Sequence, residues 1–260
     1  MAILNIETAT TVCSVCLSDE GRLLLERMLS DGPSHASLLG VFTNDAVKQA
    51  RKSGLKIEAI AISSGPGSYT GLRIGVSMAK GLCFGWNIPF ISIPTLELLA
   101  CKAIQIVSEG KAMVRQAILA TKAKVLPAVQ PDSDGGALFC PMLDARRMEV
   151  FTALYDGSLQ RVRDTEAVIV TADFHASFLD KRRIYFFGNG ADKCKNLIQS
   201  PNAVFLDDLH PLASDMALLS EQAYRAKRFE DVAYFEPFYL KDFVATVPKN
   251  KILPKNDEIS

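Results

Sequence analysis

Two carboxylates open the search for chemistry. Glu7 ends the apolar run Ala2–Glu7, and Asp144 ends a second run, Ala137–Asp144. An acid at the end of a buried strand can place a metal–nucleotide when the next turn offers backbone N–H groups to phosphate. Close approach of that kind needs glycine. The turns here read Glu7-Thr8-Ala9-Thr10 and Asp144-Ala145-Arg146-Arg147, and neither contains one. A nucleotide-dependent enzyme using Glu7 and Asp144 stays open as an alternative, weakened by those turns.

The glycines lie elsewhere, in Ser63-Ser-Gly65-Pro66-Gly67-Ser-Tyr69-Thr-Gly71-Leu72-Arg73-Ile-Gly75-Val76. A strand running into such a loop and then a helix can hold an anion on backbone N–H groups, or simply seat helix on sheet. The spacing is neither G-x-G-x-x-G nor a Walker loop. Gly188-Asn189-Gly190 is a second turn of this kind, where weak nucleotide binding stays open. Cys13 and Cys16 fall on opposite faces of a strand and cannot share a metal. His35, His175 and His210 are distant in sequence, with no H-x-x-x-H or H-E-x-x-H, and read as capping or surface residues. Ser68 lacks the G-x-S-x-G of a nucleophile elbow.

These residues sit on elements legible from periodicity. The runs at 2–7, 11–18 and 22–29 read as strands. A helical stripe covers 35–52, followed by a strand at 58–63, a helix at 71–84, a strand at 88–93 and a helix opened by Thr95. The second half repeats the pattern, with strands at 137–144 and 149–155, a strand near 167–170, a helix at 171–179, a strand at 184–187, and helices at 191–198 and 214–227 closing the unit. A constant offset superposes Glu7 on Asp144. The reading is two lobes, 1–105 and 137–248, each β-β-β-α-β-α, with an insertion at 106–136 and a polar tail at 249–260. Tandem units of this order resemble the actin, sugar-kinase and Hsp70 superfamily, an α/β duplicated ribonuclease H-like fold.

The 71–84 helix is apolar almost all round, with Leu72, Ile74, Val76, Met78, Ala79, Leu82, Cys83 and Phe84 against only Arg73 and Lys80. Such a helix must be covered on several sides. Gly71/Gly75 and Gly81/Gly85 permit close approach of another backbone. A protein–protein interface accounts for the surplus.

Composition narrows the class. The 260 residues are 48% apolar and 22% charged, with 29 Lys+Arg balanced by 29 Asp+Glu. Balanced charge argues against an autonomous nucleic-acid binder. Six scattered cysteines suit a reducing compartment. No apolar run reaches the ~18–20 residues of a membrane span, and the first residues lack a secretory leader's basic region. The expectation is a cytoplasmic protein with no membrane contact.

Glu7-Thr8, the Gly65–Gly75 stretch with Ala79-Lys80-Gly81, Asp144-Ala-Arg146-Arg-x-Glu149-Val150 and Pro237-x-Tyr239-Leu240 together resemble the TsaB (YeaZ) family, relatives of the glycoprotease family. The resemblance spans most of the chain outside the insertion and tail. It implies a scaffold subunit in the synthesis of threonylcarbamoyladenosine at position 37 of tRNAs reading ANN codons. The catalytic subunit TsaD would be bound as a heterodimer and TsaE would join a larger complex. ATP or ADP would be held within that complex rather than by this chain, and tRNA met only through it. The partner face implied is His35, Leu38, Leu39 and Phe42 of the first helix with Tyr69, Leu72, Arg73, Val76 and Lys80 of the second. The same face would serve self-association as a homodimer. Aligned on Pro89-Phe90-Ile91, the metal-binding histidines of TsaD fall at Thr95 and Leu99. Leucine has no donor atom, so the resemblance implies neither metal nor catalytic residue here, and disfavours a metallopeptidase.

Overall fold

The computed structural model describes residues 1–30, 35–121 and 136–240. The expected polar tail at 249–260, and residues 122–135 of the expected insertion, lie outside them. Chain order is β1 (Ala2–Glu7), β2 (Cys13–Asp19), β3 (Arg22–Leu29), α1 (His35–Lys52), β4 (Ile57–Ser63), α2 (Tyr69–Trp86), β5 (Phe90–Ile93) and α3 (Thr95–Thr121). The second half runs β6 (Leu138–Asp144), β7 (Glu149–Asp156), β8 (Arg161–Ile169), α4 (Ala176–Leu179), β9 (Ile184–Phe187), β10 (Ala203–Leu206) and α5 (Ala217–Arg225).

The sheets have one topology. The first is ordered β3-β2-β1-β4-β5 and the second, read from its other end, β8-β7-β6-β9-β10. In each, an antiparallel meander feeds two parallel strands. The duplication expected from sequence is present, with β1 and β6 as the central strands.

Alternation along β1 explains the layers. Leu4 and Ile6 pack with Leu39, Val76 and Ala79 beneath α1 and α2. Ile3 points the other way, into a cluster with Ile91, Met216 and Leu219 beneath α5. Both faces are covered, so all six β1 residues are buried. Glu7 shares the parity of Ile3, and its carboxyl therefore goes to the α5 side.

The lobes exchange helices. α3 follows the first sheet in sequence, yet Leu96, Leu99 and Ala103 pack against Phe139, Tyr155 and Phe187 of the second. α5 ends the second half and covers the first sheet, with Leu219 and Ala223 beside Ala59 and Ile91. Lys102 of α3 locks the exchange, its Nζ lying 2.9 Å from Asp215 Oδ2 and 3.0 Å from the His210 carbonyl. Ala213 N also donates to Ser14 Oγ of β2 at 2.9 Å.

Several expectations change. The helix expected at 214–227 is a 3-10 turn (Ala213–Met216) followed by α5, and it closes the first lobe rather than the second. The helix at 191–198 shortens to a single 3-10 turn (Asp192–Cys194), and 171–179 retains only α4 as α-helix. The strand near 167–170 begins at Arg161, and β10 adds a strand. The boundary at 105/106 falls inside α3, so the expected insertion starts as a continuation of that helix.

Candidate functional site

The Gly-Pro-Gly loop joins β4 to α2 and is fastened from both sides. Gly65 has φ +107°, and its N–H donates to Thr95 Oγ1 at 3.2 Å while its carbonyl accepts from Thr95 N at 2.9 Å. Thr95, one of the positions aligned with a metal histidine, thus clamps this loop. The other, Leu99, is fully buried in the second core. Pro66 is buried beside them. Ser68 caps α2, its Oγ accepting from Gly71 N at 3.3 Å, and its own N–H donates to Ala9 O at 2.6 Å.

The glycines seat α2 on the β1–β2 turn. A Cβ on Gly67 would lie 2.4 Å from Ala9 O, one on Gly71 2.1 Å from Thr8 O, and one on Gly75 2.2 Å from Thr8 Oγ1. The β1–β2 turn is therefore occupied by this chain's own helix. Gly188 and Gly190 do the same in the second lobe, where a Cβ would meet Met142 O at 2.5 Å and Leu143 C at 2.8 Å. Both turns are joints between backbone segments.

The two acids end in opposite environments. Glu7 is fully buried, and burial pushes its carboxyl up to about 8. Its Oε1 accepts from Ala9 N at 2.5 Å, which favours the charged form, but burial outweighs this bond and the carboxyl is shut in behind the turn. Asp144 is exposed, accepts from Arg146 N at 3.0 Å and is ion-paired with Lys193. Its own N–H donates to Asn189 Oδ1 at 3.0 Å. One acid is enclosed in the core and the other lies at the surface in an ion pair. Among the described residues, no three His, Cys, Asp or Glu side chains form a metal-holding group. Cys13 and Cys16 are buried on opposite faces of β2, their thiols pushed up by burial to about 11 and about 12. His175 corrects the surface reading. It is buried against Phe174 at 3.9 Å between ring centroids, and burial pushes it down to about 4.

The α1–α2 face divides the residues of the implied partner surface. Leu39 and Leu72 are fully buried and Val76 is 5% exposed, so these three hold the core. Leu38 and Phe42 are half-buried on α1, and the side chain of His35 lies outside the described residues. Outward on α2 stand Arg73, Ser77, Gly81 and Phe84, the last 85% exposed, with Trp86 at 41%. Ile74, Met78 and Leu82 are partly covered. The expected apolar excess is real, but its free portion is the Phe84 end of the helix together with Val41 of α1.

Tyr69, Arg73 and Lys80 are engaged within the chain, which periodicity could not reveal. A C-terminal strap, 230–240, crosses α2. Lys80 Nζ donates to the carbonyls of Ala233 and Phe235, each at 3.0 Å. Tyr69 meets Tyr239 at 4.9 Å between centroids, Arg73 lies 4.8 Å over the Tyr69 ring, and Phe238 N donates to Ser64 O at 2.7 Å. Tyr234 stands 85% exposed on this strap, its backbone held because Asp231 Oδ1 accepts from Ala233 N and Tyr234 N. Only the Pro237-x-Tyr239-Leu240 motif marked the strap in sequence.

Comparison with known proteins agrees with this architecture. Residues 32–114 match the family described as "TsaD: tRNA N6-adenosine threonylcarbamoyltransferase". The chain is 28% identical to the "tRNA threonylcarbamoyladenosine biosynthesis protein TsaB" of Escherichia coli, over 94% of this chain and 96% of the relative. It is 26% identical to the Bacillus subtilis protein of the same name, over 93% and 94%. The structure of YeaZ from Pseudomonas aeruginosa superposes with a TM-score of 0.68 at 23% identity, covering 92% of this chain and 99% of the other, which shows a common fold. With the Gly65–Gly75 joint and the paired lobes, this chain is similar to the TsaB proteins along nearly its whole length and shares the fold of YeaZ.

Proposed function

We propose that this chain is the non-catalytic scaffold subunit of the complex that makes threonylcarbamoyladenosine in tRNA, and that it binds the catalytic subunit TsaD. The observation that carries the reading is the solvent-facing apolar end of α2, with Phe84 85% exposed and Trp86 at 41%, beside Val41 at 52%. Aromatic side chains of this kind are favoured anchors of protein interfaces. The strap adds Tyr234 on a backbone fixed by Asp231 and Lys80, which lowers the ordering cost of docking.

The division of labour follows from the closed turns. Gly67, Gly71 and Gly75 press α2 onto Thr8 and Ala9, and Glu7 is neutral and enclosed. This chain would hold no nucleotide of its own. ATP or ADP, and the transfer of threonylcarbamoyl to adenosine N6, then belong to the partners, TsaE among them. The same α1–α2 face serves a homodimer when TsaD is absent. No helix of the described residues is long and apolar enough to cross a membrane, and the cytoplasm is the compartment where tRNA is modified. Depleting this protein should lower threonylcarbamoyladenosine in digested tRNA, and re-expression should restore it. Unchanged nucleoside after depletion would reject the reading.

A further inference from the structure

The β6–β7 hairpin carries a motif that partner binding leaves unexplained. Arg146 and Arg147 are consecutive non-glycine residues at φ +75° and +52°. Left-handed backbone is unfavourable for an L-residue, so something must hold it. Asp144 Oδ1 accepts from Arg146 N at 3.0 Å, Glu149 N donates to Arg146 O at 3.2 Å, and Ala145 N donates to Glu149 O at 3.1 Å. Behind the turn, Asn189 receives the Asp144 N–H, and Lys193 binds both the Asp144 carboxylate and the Glu149 carbonyl. The corner is tied down on every side.

Its output is two exposed guanidiniums. The neighbouring lysines are neutralised, Lys193 by Asp144 and Lys195 by Asp192 and Asp207. Among the described residues, neither Arg146 nor Arg147 has an ion-pair partner. Residues of such strained turns cluster at ligand contacts, and planar guanidinium forks match phosphate oxygens. The hairpin tip is exposed from 146 to 148, a shape that can lie along an extended polyanion. It has one apolar neighbour, Met148 at 38% exposure, and no aromatic anchor of the kind α2 shows.

We propose that Arg146 and Arg147 contact the phosphodiester backbone of the RNA on which the complex acts. This rests on the function proposed above. The chain as a whole carries no net charge, so the pair would steer and register RNA already held by the partner rather than bind it alone.

The test compares wild type with an Arg146→Asn/Arg147→Asn variant, since asparagine tolerates left-handed backbone. Each is assembled with TsaD, and binding to an unmodified ANN-decoding tRNA is measured across salt concentrations. An Arg146→Lys/Arg147→Lys variant controls for charge. The expected result is unchanged assembly, tRNA affinity lowered about tenfold, and a salt dependence shallower by roughly 0.7–0.9 for each phosphate the pair no longer neutralises. The lysine variant should keep most of the slope. Equal affinity and slope in the asparagine variant overturn the proposal. Weakened assembly with RNA binding per complex unchanged assigns the pair to a protein contact and also overturns it. Competition by MgATP without tRNA dependence points to a free nucleotide and does the same. Failure of the wild-type proteins to assemble overturns the function itself, and this inference with it.

Discussion

Thr8 and Gly75 face each other so closely that a methyl group on Gly75 would stand 2.2 Å from the Thr8 hydroxyl oxygen. Gly71, one helical turn earlier, leaves 2.1 Å to the Thr8 carbonyl. Hydroxyl and carbonyl together close the β1–β2 turn. Gly75→Ala should therefore destabilise the fold by about 1–3 kcal/mol, and Gly71→Ala by more, because backbone yields less readily than a side chain. Urea denaturation of both variants checks the order.

Gly81 and Gly85 share the spacing of the first glycine pair and none of its contacts, since a methyl group on either would meet nothing within 4 Å. Gly81→Ala should stabilise the isolated chain by roughly 0.5–1 kcal/mol through helix propensity. If the outer face of α2 receives another backbone, a bulkier Gly81→Leu should leave the melting temperature near that of wild type while weakening association with TsaD. Thermal unfolding and co-elution separate the two effects.

Glu7 makes stability depend on pH in an unusual direction. Its folded value, raised by burial from 4.5 to about 8, means that the folded chain keeps a proton the unfolded chain loses. The contribution is complete below about 4.5, declines as pH rises toward about 8 and is flat beyond. Glu7→Gln keeps the oxygen that accepts from Ala9 N and removes the ionisation. It should flatten that decline and be more stable than wild type by on the order of a few kcal/mol at pH 9. Denaturation midpoints from pH 5 to 9 provide the check.

Lys80 pins the strap through two carbonyls. Lys80→Met retains the stem and removes both hydrogen bonds. Amide exchange in residues 231–240 should quicken severalfold while the β1 and β4 amides stay protected. Equal exchange would mean that Phe235 against Phe90 and Tyr239 against Tyr69 suffice to hold the strap.

Much of this was legible in the sequence, for reasons that particular residues make clear. The strands of the first sheet alternate or run apolar between turns, and Glu7 and Asp144 end equivalent strands, so the duplication could be read. β10 could not, since its four residues are only half-buried and sit between Pro201-Asn202 and Asp207-Asp208. Nor could the exchange of α3 and α5, because an apolar stripe does not say which sheet it covers. The same limit misplaced Val76. An apolar helix shows that it is covered, whereas only the fold reveals that Leu72, Val76, Ala79 and Cys83 face inward and Phe84 outward. With Val76 in the core, Val76→Glu would unfold the chain and say nothing about partners.

Phe84 therefore carries the decisive experiment. Size-exclusion chromatography with light scattering would be run on wild type and on Phe84→Asp, each alone and mixed with TsaD from the same organism. Wild type should form a 1:1 complex with TsaD, and Phe84→Asp, folded by circular dichroism, should remain unassociated. A variant that co-elutes with TsaD as wild type does, or a wild type that never forms the mixed species, would contradict the scaffold account.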